Sequence, residues 1–240
     1  MSETEPWMLD ELAHAGPEHL DRGFIAGYDR KQGHPDPAGD IAELEALGLD
    51  AASRVVELGA GTGQFAVPAA KRFGHVTAVD VSGAMLAALR DKAAAAGVGE
   101  DRLAVVRAGF LSYAHDGPPA DGVFTRNALH QVPDFWKGLA LSRIADVLRP
   151  GGVLLLRDFV YDFQPAEAAG IFADWLAGCA TDPAAGYTAA DIAEHIRTEH
   201  STYRWLLEPM LAAAGFEIAG VRFYYRRYGA YTCVKVPTSA

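Results

Sequence analysis

Cysteine is scarce in this 240-residue sequence. Its two cysteines, Cys179 and Cys233, lie far apart and have no CxxC or CxxH neighbourhood. A disulfide framework and a thiolate zinc site both need more cysteines, so both are excluded. We expect a protein that folds in the reducing cytoplasm.

Basic residues are also few. The 21 Lys and Arg are outnumbered by 31 Asp and Glu, and the formal net charge is −10. Binding to a nucleic-acid backbone rests on clustered Lys and Arg, so nucleic acid is not expected as a partner. No segment approaches the roughly 18 uninterrupted apolar residues of a membrane span. Acidic residues stand near the N-terminus, where a signal peptide needs a basic region and an apolar run. We therefore expect a soluble cytoplasmic protein with no membrane partner.

The chain does contain enough apolar residues to build a core. Half of its residues are apolar and 22% are charged. From residue 54 onward, short β-branched runs alternate with Ala- and Leu-rich stretches, which predicts a parallel sheet in a doubly wound α/β fold. The predicted strands are 54–58, 75–79, 103–107, 122–126 and 153–158, and the predicted helices are 64–73, 83–96, 135–148 and 202–214.

The C-terminal end departs from this alternation. Two predicted strands, 216–225 and 230–236, are separated by only four residues, which is too short for a crossover. We therefore expect an antiparallel hairpin there. These patterns divide the chain into three parts. They are a helical N-terminal cap at 1–45 with a Gly/Pro-rich break at 33–39, a core domain of 46–160 and 202–240, and a helical insertion at 161–201.

Glycines occur at alternate positions after the first predicted strand: Gly59, Gly61 and Gly63. This spacing lets the backbone turn tightly and approach a ligand closely, and the next helix presents free N–H groups. Glu57 would repel a pyrophosphate but suits a cationic or N–H-rich ligand. Asp80, at the end of the second strand, is placed to accept both hydroxyls of a ribose.

These motifs resemble a known family. The ELGAGTG segment at 57–63, the acid of AVD at 78–80 and the LRPGG segment at 148–152 match class I S-adenosylmethionine-dependent methyltransferases of the small-molecule type. The terminal hairpin matches that family too. The resemblance covers about residues 50–160 and 203–236. It implies a Rossmann-like, mostly parallel seven-stranded sheet with a terminal antiparallel hairpin and a helical cap. The implied cofactor is S-adenosyl-L-methionine, and the implied product is S-adenosyl-L-homocysteine.

The resemblance also implies roles for single residues. The three glycines would pass under the methionine part and the ribose, Asp80 would hold the ribose hydroxyls, and Glu57 would lie near the methionine amino group. Tyr28 lies in a segment that resembles the N-terminal helix that many small-molecule members fold over the cofactor. Neighbouring positions complete the implied cofactor-binding set: Ala60, Val81, Gly109, Phe110, Asn127 and Ala128.

One stretch departs from the family pattern. After the third strand many members place an acid beside the adenine amino group, but this sequence reads RAGFL at 107–111. Phe110 either flanks the adenine ring or packs into the core. The polar contacts to the adenine would then come from backbone groups.

The residues after the fourth strand would face the transferred methyl group, because ligands bind at the carboxyl ends of parallel strands. His130 lies there and is our candidate catalytic base, since histidine has an unperturbed pKa near ~6.5; closing the turn is its alternative role. His195 and His200 in the insertion are further candidates. Asn127 and Asp158 end strands four and five, but the paired Asp-Asn of magnesium-dependent members is missing, so we expect no metal.

The sequence thus predicts a methyltransferase that acts on a small-molecule acceptor, with a homodimer compatible with these features. The aromatic residues of the insertion either roof the pocket as a lid or form a satellite core under a permanent cap. Three alternatives stay open: a protein of the same fold that binds the cofactor but has another activity, an NAD(P)-dependent oxidoreductase, and a non-catalytic subunit.

Overall fold

The computed structural model describes residues 6–16, 19, 22–32 and 36–237. The strands are β1 Arg54–Leu58, β2 His75–Asp80, β3 Leu103–Arg107, β4 Ala120–Arg126, β5 Leu148–Asp158, β6 Val160–Tyr161, β7 Thr202–Tyr203, β8 Phe216–Tyr224 and β9 Tyr228–Lys235. The α-helices are α1 Arg22–Lys31, α2 Ala38–Ala46, α3 Ala66–Ala69, α4 Gly83–Ala95, α5 Asp134–Val147, α6 Ala168–Ala177, α7 Ala189–Thr198 and α8 Arg204–Ala213. Short 3-10 helices include Glu11–His14 and Leu129–Gln131.

The main sheet has seven strands in the order β3-β2-β1-β4-β5-β9-β8. Strands β1 to β5 run parallel to one another, and β9 is antiparallel to both β5 and β8. The predicted fold class is therefore confirmed, including the terminal hairpin. The strand order reverses direction between β1 and β4, so the connections that follow these two strands leave in opposite directions and a crevice forms outside their carboxyl ends.

The position of β5 between two cores explains why its sequence is a continuous apolar run. Leu154 and Leu156 belong to the core on one face of the sheet, whereas Val153 and Leu155 belong to the core on the other face. Successive side chains of a strand point to opposite faces, so a strand covered on both sides buries every one of them.

Two elements differ most from the sequence prediction. Strand β5 begins at Leu148 rather than at 153, because the Pro-Gly-Gly segment bulges inside the strand: Ala120 pairs with Leu148, and Gly122 next pairs with Val153. Helix α3 is a single turn rather than the predicted helix of 64–73. It contains Pro68, which has no N–H to donate and so weakens a longer helix.

The N-terminal segment and the insertion both cover the carboxyl edge of the sheet. The insertion is closed at its base by pairing of β6 with β7, and its residues Phe163, Trp175 and Ile192 form a small core with Tyr161. The predicted break at 33–39 lies partly outside the described residues. In the described part of the chain, no helix combines the length and the apolar character that crossing a membrane requires.

Candidate functional site

The three glycines of the loop after β1 serve different purposes. All have positive φ angles: +74° at Gly59, +50° at Gly61 and +80° at Gly63. A Cβ at Gly59 would collide with Ala128, and one at Gly63 would lie 2.6 Å from Cγ of Leu89. These two glycines therefore permit close packing against the segment after β4 and against α4. A Cβ at Gly61 would meet nothing within 4 Å, because this glycine borders an open cleft.

Asp80 fixes the loop to the end of β2. Its Oδ2 accepts a hydrogen bond from the Gly61 N–H at 2.8 Å, and its Oδ1 accepts one from the Ser82 N–H at 2.8 Å. Burial raises the pKa of this carboxyl group. A carboxylate has about four lone-pair sites, and these bonds use two of them. The remaining two suit a pair of neighbouring hydroxyl groups in the cleft.

Glu57 presents a buried acceptor without a donor. Among the described residues, three buried side-chain oxygens have no hydrogen-bond partner: Glu57 Oε2, Thr125 Oγ1 and Asn127 Oδ1. Burial raises the pKa of Glu57 well above its usual value, although Arg126 opposes this rise. An unpaired buried acceptor costs about 1–3 kcal/mol. Glu57 and Asn127 line the same part of the cleft, so a cationic group with several N–H donors would satisfy both.

The structure brings most of the predicted cofactor residues together. One cleft is lined by Tyr28, Gly59, Gly61, Asp80, Val81, Gly109, Phe110, Asn127 and Ala128. Its continuation towards α3 adds Glu57 and Ala60. Gly63 does not line it and packs against α4 instead. Phe110 is buried in the core and also borders the cleft, so both of its expected positions are realised at once.

Glu11 is a cleft residue that the sequence analysis missed. Its carboxylate accepts hydrogen bonds from the backbone N–H groups of Leu111 at 3.0 Å and Ser112 at 3.1 Å, and from the Ser112 hydroxyl at 2.9 Å. It lies so close to Gly109 that a Cβ there would collide with it. Burial raises the pKa of Glu11. An acid therefore does stand beside the segment after β3, but it comes from a distant part of the chain that no local motif identifies.

Helix α1 is anchored to the glycine loop by Asp29. This carboxylate accepts hydrogen bonds from Thr62 Oγ1 at 2.5 Å and Gln64 Nε2 at 2.8 Å, and it forms an ion pair with Lys92. Burial alone would raise the pKa of Asp29, but these donors hold it below its usual value. The anchor places Tyr28, the preceding residue, against the cleft.

His130 lies in the short 3-10 helix after β4 and is buried. Its Nδ1 lies 2.5 Å from Asp158 Oδ1, at the end of β5, and its Nε2 lies 2.9 Å from Glu199 Oε2. Burial alone would lower the pKa of His130, but the two carboxylates raise it to about 9. This shift favours the protonated form of the imidazole. The role of His130 as a catalytic base therefore stays a prediction, and it requires the imidazole to lose the proton that Asp158 and Glu199 stabilise.

His195 joins the same cluster, but His200 does not. Helix α7 carries His195, and Glu199 follows it by four residues, which places both side chains on one side of the chain. The Glu199 carboxylate pairs with Nδ1 of His195 as well as with His130. The ring of His200 instead faces that of His14, with centroids 5.6 Å apart. Glu199 was missed, although its His-x-x-x-Glu spacing is a signal that the sequence contains.

This cluster opens into a second cavity of about 560 Å³. The cavity meets the cofactor cleft at shared residues, which are His19, Tyr28, Asn127 and Gln131. Phe159 and Tyr187 supply its aromatic lining, whereas Trp175 packs into the small core of the insertion. The site is therefore a narrow cleft that leads into a wider chamber suited to a second small molecule.

Comparison with known protein families identifies the central part of this architecture. Residues 55–152 match the family model of a methyltransferase domain. The demethylmenaquinone methyltransferase of Clavibacter sepedonicus is 32% identical over 50% of this chain, but the match spans only 46% of that relative's own length. An uncharacterized methyltransferase of Geobacillus kaustophilus is 26% identical, and the match covers 81% of this chain and 78% of that protein.

Solved structures share the fold. Magnesium protoporphyrin IX methyltransferase of Synechocystis PCC 6803, crystallised with S-adenosylmethionine, superposes with a TM-score of 0.65 at 15% identity. The match covers 96% of this chain and all of that one. This chain therefore shares its overall fold with that protein.

Proposed function

Because this chain carries the domain and the fold of the class I S-adenosylmethionine-dependent methyltransferases, we propose that it transfers a methyl group from S-adenosylmethionine to a small-molecule acceptor. One observation supports this above all others. The loop after β1 is flanked by the Asp80 carboxylate on one side and by two unpartnered buried acceptors, Glu57 Oε2 and Asn127 Oδ1, on the other.

The residues of the cleft fit this cofactor. The free lone pairs of Asp80 suit the two ribose hydroxyls, and the acceptors of Glu57 and Asn127 suit the methionine ammonium group. Gly61 leaves the space between them open. A bound S-adenosylmethionine supplies an electrophilic methyl group on a sulfonium. A pyrophosphate would instead be repelled by Glu57, which argues against a nicotinamide dinucleotide in the same cleft.

We further propose that Glu11 replaces the acid that family members carry after the third strand. Its carboxylate lies against Gly109, and both residues line the cleft together with Phe110. There it can accept a hydrogen bond from the adenine amino group. The N-terminal segment would then contribute to cofactor binding at two points, Glu11 and Tyr28.

The remaining proposals concern the parts around the core domain of 46–160 and 202–240. Residues 1–45 act as a cap on the cofactor, and residues 161–201 act as a lid on the acceptor chamber. The contact of Gln32 Nε2 with the Tyr187 hydroxyl at 2.6 Å and the ion pair of Lys31 with Asp191 at 3.2 Å support this arrangement. A closed lid excludes water and holds the acceptor near the methyl group. The cytoplasmic location and a homodimer are expectations carried over from the sequence.

Calorimetry on the purified chain tests the cofactor assignment. We expect S-adenosylmethionine and S-adenosylhomocysteine to bind, and Glu57→Gln to weaken the binding of both because it removes the charge that faces the ammonium. The matched control is Glu217→Gln, which changes an exposed acid on the edge strand β8.

Methyl transfer is then measured with methyl-labelled S-adenosylmethionine and panels of hydroxyl, amine and thiol acceptors. Formation of S-adenosylhomocysteine together with a labelled acceptor supports the proposal. Binding of NADH with no binding of either sulfur ligand would overturn it. Cofactor binding without transfer to any acceptor class would favour a protein of the same fold with another activity.

A further inference from the structure

Three potential metal ligands converge at the end of the acceptor chamber. His130, His195 and Glu199 each direct one ligand atom to the same point, and these atoms all lie within 4.8 Å of one another. Nε2 of His130 is 2.9 Å from Glu199 Oε2, and Nδ1 of His195 also contacts that oxygen. Both histidines are buried, whereas Glu199 is half-buried on the chamber side.

Each histidine has a second partner that orients its ring. Nδ1 of His130 lies 2.5 Å from the Asp158 carboxylate, so the proton of a neutral ring resides on Nδ1. Nε2 then faces Glu199 Oε2 at 2.9 Å and the side-chain amide of Gln131 at 3.0 Å. Nε2 of His195 lies 3.1 Å from the Ser201 hydroxyl, which leaves Nδ1 directed to the same point. Outer partners that fix the tautomer in this way are typical of metal-binding histidines.

The charge and the surroundings of the cluster also favour a bound metal ion. Asp158 and Glu199 place two carboxylates beside the two histidines, and a divalent cation bound in place of the imidazole proton would face both carboxylates. Aromatic rings surround the point: the Phe159 ring lies 4.5 Å from that of His195, and the Trp175 ring lies 5.6 Å from it. An apolar shell of this kind strengthens electrostatic interactions at the site.

We propose that His130, His195 and Glu199 form a binding site for a divalent transition-metal ion whose open positions face the acceptor chamber. Two imidazoles and one carboxylate suit Zn²⁺, Fe²⁺ or Co²⁺, and disfavour Mg²⁺, which prefers oxygen ligands. This site differs from the magnesium arrangement considered from the sequence, because two of its ligands come from α7 and the residues that follow it. The proposal departs from the sequence-based expectation of no metal, and the metal titrations described below test both.

The role that we assign to the ion depends on the proposed methyl-transfer function. The chamber joins the cofactor cleft at Asn127, so an acceptor whose oxygen, nitrogen or sulfur atom binds the ion would lie beside the methyl group. A bound metal ion lowers the pKa of its ligand. With the ion bound, the acceptor's O–H, N–H or S–H bond would break, the proton would leave to bulk solvent, and the electron pair would stay on the acceptor atom, which would be the nucleophile.

Metal binding can be measured without any activity assay. The full-length chain is prepared without a polyhistidine tag and treated with a chelator. It is then titrated with Co²⁺, followed by its visible d–d absorption, and with Zn²⁺ and Mg²⁺ by calorimetry. We expect Co²⁺ and Zn²⁺ to bind as a single ion per chain and Mg²⁺ not to compete. His195→Gln and Glu199→Gln should each weaken binding by at least about 100-fold, and Asp158→Asn by about 10- to 100-fold.

Two controls make the result decisive. His115→Gln changes a histidine whose ring nitrogens contact Tyr113 and the Pro118 carbonyl, far from the chamber, and should bind Co²⁺ like the parent. Circular dichroism and thermal melting establish that each variant is folded. Unchanged Co²⁺ affinity in folded His195→Gln and Glu199→Gln, or no Co²⁺ binding by the parent, would overturn the proposal.

The same preparations separate this proposal from the proposed function. Intact S-adenosylmethionine binding in a chain that binds no Co²⁺ would remove the metal site alone. Conversely, Gly61→Val should lose the cofactor and keep Co²⁺ binding, because Gly61 is not part of the cluster. A chain that binds Co²⁺ but neither sulfur ligand would retain the metal site and contradict the methyltransferase assignment.

Discussion

At the scale of single residues, the loop after β1 shows how one carboxylate serves both the protein and a ligand. Asp80 accepts two backbone N–H bonds that shape the loop and the start of α4. Its free lone pairs face the cleft. We expect Asp80→Ala to weaken S-adenosylmethionine binding at least about tenfold, because hydrogen bonds to a charged group contribute about 1.5–3 kcal/mol each and about 1.4 kcal/mol corresponds to tenfold.

Asp50→Ala is the matched control for this variant. Asp50 also accepts a backbone N–H bond from the residue two positions later, Ala52, at 2.9 Å, but it lies in a turn before β1. Calorimetry should show parental affinity for Asp50→Ala. Equal affinity in a folded Asp80→Ala would remove Asp80 from the ribose site.

The glycines allow a second residue-scale test. Gly61 has φ of +50° and open space in front of it, and Gly97 has φ of +67° and open space after α4. A branched residue at either position bears the strain of a left-handed backbone. We expect Gly61→Val and Gly97→Val to lower the melting temperature similarly, whereas only Gly61→Val abolishes cofactor binding. Tight binding by Gly61→Val would show that the loop is not the site.

At the scale of elements, α1 depends on Asp29 for its position over the loop. Asp29 contacts Thr62, Gln64 and Lys92 from two other elements. We expect Asp29→Asn to lower the free energy of unfolding by about 1 kcal/mol at pH 7, since the pair with Lys92 is partly solvated. The control is Asp91→Asn, an exposed acid on α4.

The pH dependence of this effect has a definite sign. The donors around Asp29 hold its pKa below the usual value of 3.8 in the folded protein. A group with a lowered pKa stabilises the protein above its unfolded pKa, and that stability is lost as pH falls through the folded value. Urea unfolding should therefore show the difference between parent and Asp29→Asn in full at pH 7 and a shrinking difference below about pH 4. A constant difference down to pH 2 would contradict the ionised role of Asp29.

At the scale of the whole molecule, the cap, the glycine loop and the insertion meet at one edge of the sheet. Elements that cover a ligand are less protected from hydrogen exchange before it binds. We expect S-adenosylhomocysteine to slow amide exchange at 28–31 beyond the slowing at 59–63. The segment 175–187 should respond mainly when an acceptor is also bound. Identical exchange in both segments in every ligand state would show that they are a permanent cap.

The sequence by itself determined the core domain. The bounds of Arg54–Leu58 and Leu103–Arg107 followed from short runs of β-branched and aliphatic residues, which favour strands. The glycine loop and the position of Asp80 could also be predicted from the sequence, since a tight turn and a strand end are local features. The hairpin followed from the length of one connection.

Only the tertiary structure decided how distant segments complete the site. Glu11 reaches the backbone after β3 across 100 residues of chain, and Glu199 meets His130 from the far end of the insertion. The tertiary structure also distinguished Gly59 and Gly63, which pack against neighbouring side chains, from Gly61, which borders the cleft. Such contacts depend on how helices and loops pack on the sheet edge. No local pattern contains that information, because the partners are chosen by three-dimensional proximity and not by spacing along the chain.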